Sequence, residues 1–173
     1  MNEIQYQLLP TFTRVYISKF TKATRDAINL GFASLEVMEY LDGNQIQALT
    51  CEIDYPLSQK CTFQITKKGE YFYLSDIILA VCDKYREIYA EEDNTSTVKA
   101  ENIPGWWNRN ETDGKWGISL HYLDELILTD IVLDTDTNTI ILDISTQPSP
   151  AHMTPIDEMV QIREAMKKEN PGE

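Results

Sequence analysis

Leu126-Ile127-Leu128-Thr129-Asp130-Ile131-Val132-Leu133 and Thr139-Ile140-Ile141-Leu142-Asp143-Ile144-Ser145 flank Asp134-Thr135-Asp136-Thr137-Asn138. Two branched, aliphatic runs around a cluster of turn formers read as a β-hairpin. Branched side chains pack on a pleated surface, and Asp and Asn bond their own backbone in turns. This hairpin commits the chain to antiparallel pairing, and the same signal recurs upstream. Cys61–Ile65 and Tyr71–Leu74 flank Lys67-Lys68-Gly69-Glu70, a second predicted hairpin. Asp42-Gly43 lies between Ser34–Leu41 and Gln45–Ile53, both able to alternate, and reads as the turn of a further hairpin. The competing reading of that stretch carries a helix through to Leu41.

Nearer the N-terminus, Phe12-Thr13-Arg14-Val15-Tyr16-Ile17 after Pro10 predicts a first strand within residues 4–20. Thr21 is placed to cap a short helix, Lys22–Leu30, with Gly31 ending it. Ile78, Val81/Cys82, Tyr85 and Ile88/Tyr89 recur every three to four residues behind Ser75 and Asp76. That spacing predicts an amphipathic helix over 76–91, with Ser75 as its cap and the Asp76 carboxylate at the positive end of the dipole. Residues 92–118 carry no usable periodicity, and a helical turn is expected near 119–125.

The predicted fold is α+β: an antiparallel sheet of about six strands built from hairpins, one main helix packed on it, and a peripheral C-terminal helix. Residues 1–146 form the single domain. Three prolines make 147–155 a linker, and Thr154-Pro155 opens a helix or tail over 156–173.

The chain has 173 residues and a formal charge of −13, of which residues 91–146 contribute −9. Such a field repels phosphate backbones, so direct nucleic-acid binding is disfavoured, and it attracts a partner with a basic surface. Keeping the domain soluble is the plainer use of the same charge. No apolar run is long enough to span a membrane, and no basic stretch followed by an apolar block opens the chain. A soluble, cytoplasmic protein without a membrane partner is expected. Cys51, Cys61 and Cys82 are odd in number and lack close spacing, which predicts reduced, buried thiols.

Candidate chemistry begins with Pro104–Gly117, which holds Trp106, Trp107 and Trp116. Large aromatics in a polar, glycine-bearing loop suit a recognition surface. They suit equally a lid folded back over the sheet. The residues expected to bind a partner are Trp106, Trp107, Arg109, Trp116, Asp130, Asp134 and Asp136. Asp134-x-Asp136-x-Asn138 spaces oxygens like half of a calcium loop, but Thr139 stands where a glycine is needed and Ser145 where a glutamate is needed, so no metal is assigned. His121 with Asp124 and Glu125 is the candidate acid–base cluster. Phosphate-binding and nucleophile-elbow motifs are missing, so no cofactor is expected. The reading is a non-enzymatic interaction domain, of the inhibitor or immunity type, for a basic protein. Its alternative is a small enzyme or ligand-binding domain centred on the carboxylate and histidine groups beside the tryptophan loop.

Overall fold

A computed structural model describes residues 4–10, 13–27, 35–104, 106, 108–149 and 151–152. In chain order these form β1 (Gln5–Gln7), β2 (Val15–Tyr16), α1 (Lys22–Ala27), α2 (Leu35–Gly43), β3 (Ala48–Ile53), β4 (Cys61–Thr66), α3 (Leu74–Thr95), β5 (Leu126–Asp134) and β6 (Thr139–Thr146). A single 3-10 turn, Leu123–Glu125, leads into β5. The fold is α+β around a six-stranded sheet in the order β1-β5-β6-β3-β4, with β2 also paired to β5.

The β5–β6 hairpin forms as its sequence indicates, in register from Leu126↔Thr146 to Asp134↔Thr139 with an irregularity between Leu128 and Asp130. β1 and β2 both pair with β5, which places the predicted N-terminal strand at that edge in two short pieces. Thr21 caps α1 through its hydroxyl, which accepts from the Thr24 N–H.

Two expected hairpins are corrected. The Ser34–Leu41 strand is helical in its described part, as α2, with buried Val37 and Leu41 one turn apart. Asp42-Gly43 ends this helix: the Asn44 N–H donates to the Tyr40 carbonyl, the Ile46 N–H to that of Leu41, and Gln45 takes the left-handed conformation at φ 53°. Without a strand before it, β3 enters the sheet between β4, which is antiparallel, and β6, which is parallel through Thr50↔Thr139 and Cys51↔Ile140. The sheet is therefore mixed, not purely antiparallel. The second correction concerns Tyr71–Leu74, which does not pair with β4. β4 pairs with β3, and Leu74 is the first residue of α3. Phe72 and Leu74 are buried while Tyr71 and Tyr73 are exposed, so a packed strap imitates the period of a strand without its backbone partners.

Helix α3 is longer than its periodicity predicts, and its Ser75 cap is not used: Tyr73 holds the cap position with no side-chain bond. Asp76 instead pairs with Arg25 of α1 at 2.6 Å. Ile77, Ile78, Val81, Cys82, Tyr85, Ile88 and Tyr89 are buried in one cluster with Leu49, Cys51, Ile53, Leu128, Ile131, Leu133 and Ile140 of the sheet. Each such side chain contributes about 1.5–3 kcal/mol by leaving water. Thr62, Gln64, Ile141, Asp143 and Ser145 on the opposite sheet face are exposed. The three cysteines are free and buried, and burial pushes the Cys51 and Cys82 thiols up to about 12. Among the described residues no helix is long and apolar enough to cross a membrane. The predicted helix or tail over 156–173 lies outside the described residues.

Candidate functional site: a loop platform held by buried charges

The core stripe of α3 continues past Tyr89 to a glutamate. Glu92 is fully buried, and its carboxylate accepts N–H bonds from Gly114 (2.9 Å), Trp116 (2.8 Å) and Gly117 (3.2 Å). Gly114 is required here, because a Cβ at that position would lie 2.7 Å from the carboxylate oxygen. Burial pushes this carboxyl up, but the Thr112 hydroxyl and the three backbone donors outweigh it, and the net shift is downward. At the preceding position of the helix, Glu91 accepts from the Trp116 indole at 2.8 Å and pairs with Lys115 at 2.9 Å; Lys115 and then Trp116 hold its carboxyl below the ordinary value. Asp113 closes the other side of the loop, accepting from the Ser96 hydroxyl and the backbone of Thr97 and Val98. The Thr97 and Ser96 hydroxyls, then the Val98 N–H, hold the Asp113 carboxyl well below the usual carboxylate range.

Between these clamps, residues 101–103 and 108–110 pair as the arms of a small antiparallel hairpin. The Asn110 N–H donates to the Glu101 carbonyl and the Ile103 N–H to that of Asn108, with a turn bond from the Trp106 N–H to Ile103. Arg109 bridges both Asn102 and Leu120, adding a third rung. Its side chain points inward and is 2% exposed. The guanidinium lies 5.9 Å from the Tyr89 ring centroid and 5.3 Å from that of Tyr122, and donates to the Thr112 hydroxyl. A delocalised, weakly hydrated cation between two ring faces is a favourable way to bury positive charge.

The stretch 120–125 supplies the floor. Leu120 sits at φ 70°, with the His121 N–H donating across it to the Ser119 carbonyl at 2.8 Å. This three-residue turn is strained for a branched side chain, and it aims His121 at Glu125. His121 Nδ1 lies 3.2 Å from Glu125 Oε2, which also accepts the Tyr122 N–H; Glu125 is 2% exposed. His152 pairs with Asp124 at 2.9 Å and stacks on Tyr122 at 3.8 Å between ring centroids. The Asn102 amide donates to the His152 carbonyl and its oxygen accepts from the Tyr122 hydroxyl. Gln147 donates to the Glu125 carbonyl and accepts from Tyr16, so the first part of the proline-rich segment is tied to the domain. Among the described residues no buried side-chain nitrogen or oxygen lacks a partner.

The residues expected to bind a partner are not brought together. Trp106 lies in the turn of the hairpin and is 64% exposed, whereas Trp116 is part-buried against the core, so the two tryptophans are placed differently, one at the surface and one packed over the sheet and helix. Trp107 lies outside the described residues. Arg109 is a buried support, which corrects its expected place on the contact surface. Asp134 and Asp136 occupy the β5–β6 turn, at the far end of β5 from the 3-10 turn and roughly 25 Å along the strand at about 3.4 Å per residue. There Asp134 accepts from the Asp136 N–H and the Thr137 hydroxyl, and the Tyr40 hydroxyl donates to Asn138, so these oxygens shape a turn. Asp130 lies opposite Asp143 and bonds its neighbour's N–H at Ile131. No group of three or more His, Cys, Asp or Glu that could hold a metal occurs among the described residues.

Glu92, Tyr89, Tyr122 and Asn102 were not legible as site residues. Glu92 had a signal, since it continues the spacing of Tyr85 and Ile88/Tyr89; a carboxylate on an apolar stripe must be met by donors. Of the acid–base cluster, His121 and Glu125 line a cavity of about 180 Å³ with Asn108, Thr146 and Pro148, while Asp124 turns to His152. The His121–Glu125 pair has the geometry to pass a proton, but ligand pockets usually run from about 300 Å³ upward. No protein-family model, curated protein or solved structure was found to match the chain.

Because Ile103 and Asn110 donate the bonds that close the hairpin, their amides are expected to exchange with solvent much more slowly than an open loop of the same composition.

Proposed function

We propose that this chain is a non-enzymatic protein-interaction domain, of the inhibitor or immunity type, which engages a basic protein surface through the Trp106 hairpin. One observation carries the reading: an indole 64% exposed at the tip of a hairpin whose base is fixed by a buried arginine. A large apolar side chain with only two rotatable bonds, presented by a hairpin that backbone hydrogen bonds close, loses little entropy on binding, which suits an interaction hot spot. Ile103 and Leu120, also exposed, extend the apolar surface, and exposed Glu101 and Glu111 at the hairpin base favour a cationic partner. The Asp134 carboxylate is engaged within its own turn at the far end of β5, and that turn is left out of this contact. Free, buried thiols fit a cytoplasmic setting.

The test compares wild type with Trp106→Ala in capture from the protein's own cell extract, followed by titration of the captured partner. Trp106→Ala should leave the melting temperature unchanged and weaken a basic partner by roughly 30-fold, the loss expected for a hot-spot tryptophan worth about 2 kcal/mol. Equal binding by the variant, or capture of acidic partners alone, would refute the reading. The second reading, a small enzyme or ligand site, draws on the His121–Glu125 pair at its cavity; there His121→Ala, and not Trp106→Ala, would remove the effect.

A further inference from the structure

The strand β4 ends the sheet. It pairs with β3 on one side, and none of the described backbone bonds outside the ladders uses Cys61–Thr66 on the other. The place beside it that the alternation of Tyr71–Leu74 suggested for a strand is not taken by that segment. Instead, a groove of about 300 Å³ runs between the β4 edge, the strap 67–73 and the first turns of α3. Ile65, Lys67, Lys68, Tyr71, Tyr73 and Ala80 are among its lining residues, and both tyrosines are more than two-fifths exposed.

The charge of this edge runs against that of the molecule. Residues 60–73 carry Lys60, Lys67 and Lys68 against Glu70 alone, a net of +2 in a chain of net charge −13. Lys60 pairs with Glu52, whereas none of the described ion pairs uses Lys67 or Lys68. The one carboxylate lining the groove, Asp76, is neutralised by Arg25 at 2.6 Å. Lysines also guard sheet edges against chance pairing, which would account for the charge but not for a groove floored by apolar and aromatic groups.

We infer that the β4 edge and the groove beside α3 form a second binding surface, which takes an extended acidic peptide segment as an added strand. The peptide backbone bonds the free edge, alternate apolar side chains enter the groove between Tyr71, Tyr73 and Ala80, and its carboxylates meet Lys67 and Lys68. This surface is independent of the Trp106 hairpin.

The probe is a soluble, labelled peptide of alternating glutamate and valine, about eight residues long, added to the full chain and followed by backbone amide shifts and by anisotropy. Shifts concentrated in Cys61–Thr66, with at least tenfold weaker binding by Lys67→Glu/Lys68→Glu and by a peptide N-methylated at alternate amides, support the inference. Both changes leave the β3–β4 ladder untouched, so loss of binding does not report loss of the fold. The inference is overturned if millimolar peptide moves no β4 amide, if the N-methylated or a lysine–valine peptide binds as well, or if the shifts fall on the Trp106 hairpin. It is also overturned if sedimentation shows β4 already covered by a second copy whose association the peptide does not disturb.

Discussion

Glu92→Ala is expected to destabilise the folded chain by about 3–5 kcal/mol, lowering the melting temperature by roughly 10 °C. The substitution leaves the N–H groups of Gly114, Trp116 and Gly117 facing a buried hole. Each orphaned donor costs about 1–3 kcal/mol, and partial entry of water keeps the total below their sum. Glu92→Gln, which keeps the shape and one acceptor oxygen, should lose roughly half as much. The sign of the pH dependence follows from the depressed carboxyl. A group whose folded pKa lies below its unfolded value stabilises fully above the unfolded value, near ~4.3 for a glutamate, and the stabilisation is lost as pH falls through the folded one. Wild type should therefore loosen at the 112–117 loop in acid, aided by Asp113 in the same sense, while Glu92→Ala shows a flatter profile below about pH 4. Thermal melts across pH, read by tryptophan emission, check both; an unchanged melting temperature at neutral pH would show that the carboxylate does not hold the loop.

Arg109→Ala comes second, at about 3 kcal/mol. It deletes a desolvated cation seated between the Tyr89 and Tyr122 rings, worth up to ~2 kcal/mol, along with a charged hydrogen bond to Thr112 and the packing of the long stem. Arg109→Lys should recover little, because an ammonium cannot lie flat between two rings or fork its donors. The damage should be local first: chemical denaturation would show the 101–110 hairpin detaching before the sheet, with Trp106 emission moving ahead of the far-ultraviolet signal. Coincident transitions at wild-type stability would rule out the assigned role.

What could be read in advance depended on whether a signal was periodic and local. The β5–β6 hairpin and α3 were legible because Leu126–Leu133, Thr139–Ser145 and the Ile78–Tyr89 stripe repeat at the spacing of the element they form. Asp42-Gly43 misled because the end of a helix and the turn of a hairpin favour the same residues, and the left-handed residue here proved to be Gln45. Tyr71–Leu74 misled because an extended strap that buries every second side chain has a strand's period without a strand's partner. The parallel β3–β6 pairing depends on residues some ninety positions apart, Thr50 with Thr139, and no local pattern encodes it. In the candidate site, Trp106 was visible as an aromatic in a polar loop. Its supports were not, because Arg109, Tyr122 and His152 meet only in three dimensions. The charge excess of residues 91–146 pointed to a basic partner, but several of its carboxylates are engaged within the chain: Glu92 and Glu125 are buried, and Asp113, Asp124 and Asp134, though not buried, bind hydroxyls, a histidine or backbone.

Amide hydrogen exchange, resolved to single residues over 96–122, tests the platform most directly. If buried charges fix this segment, the Ile103, Arg109 and Asn110 amides should exchange at least a hundredfold more slowly than an unstructured chain, and Arg109→Ala should erase that protection while β3 and β5 retain theirs. Exchange of those three amides at the unstructured rate in the wild-type chain would mean that Trp106 rides on a loose loop, and the account would be wrong.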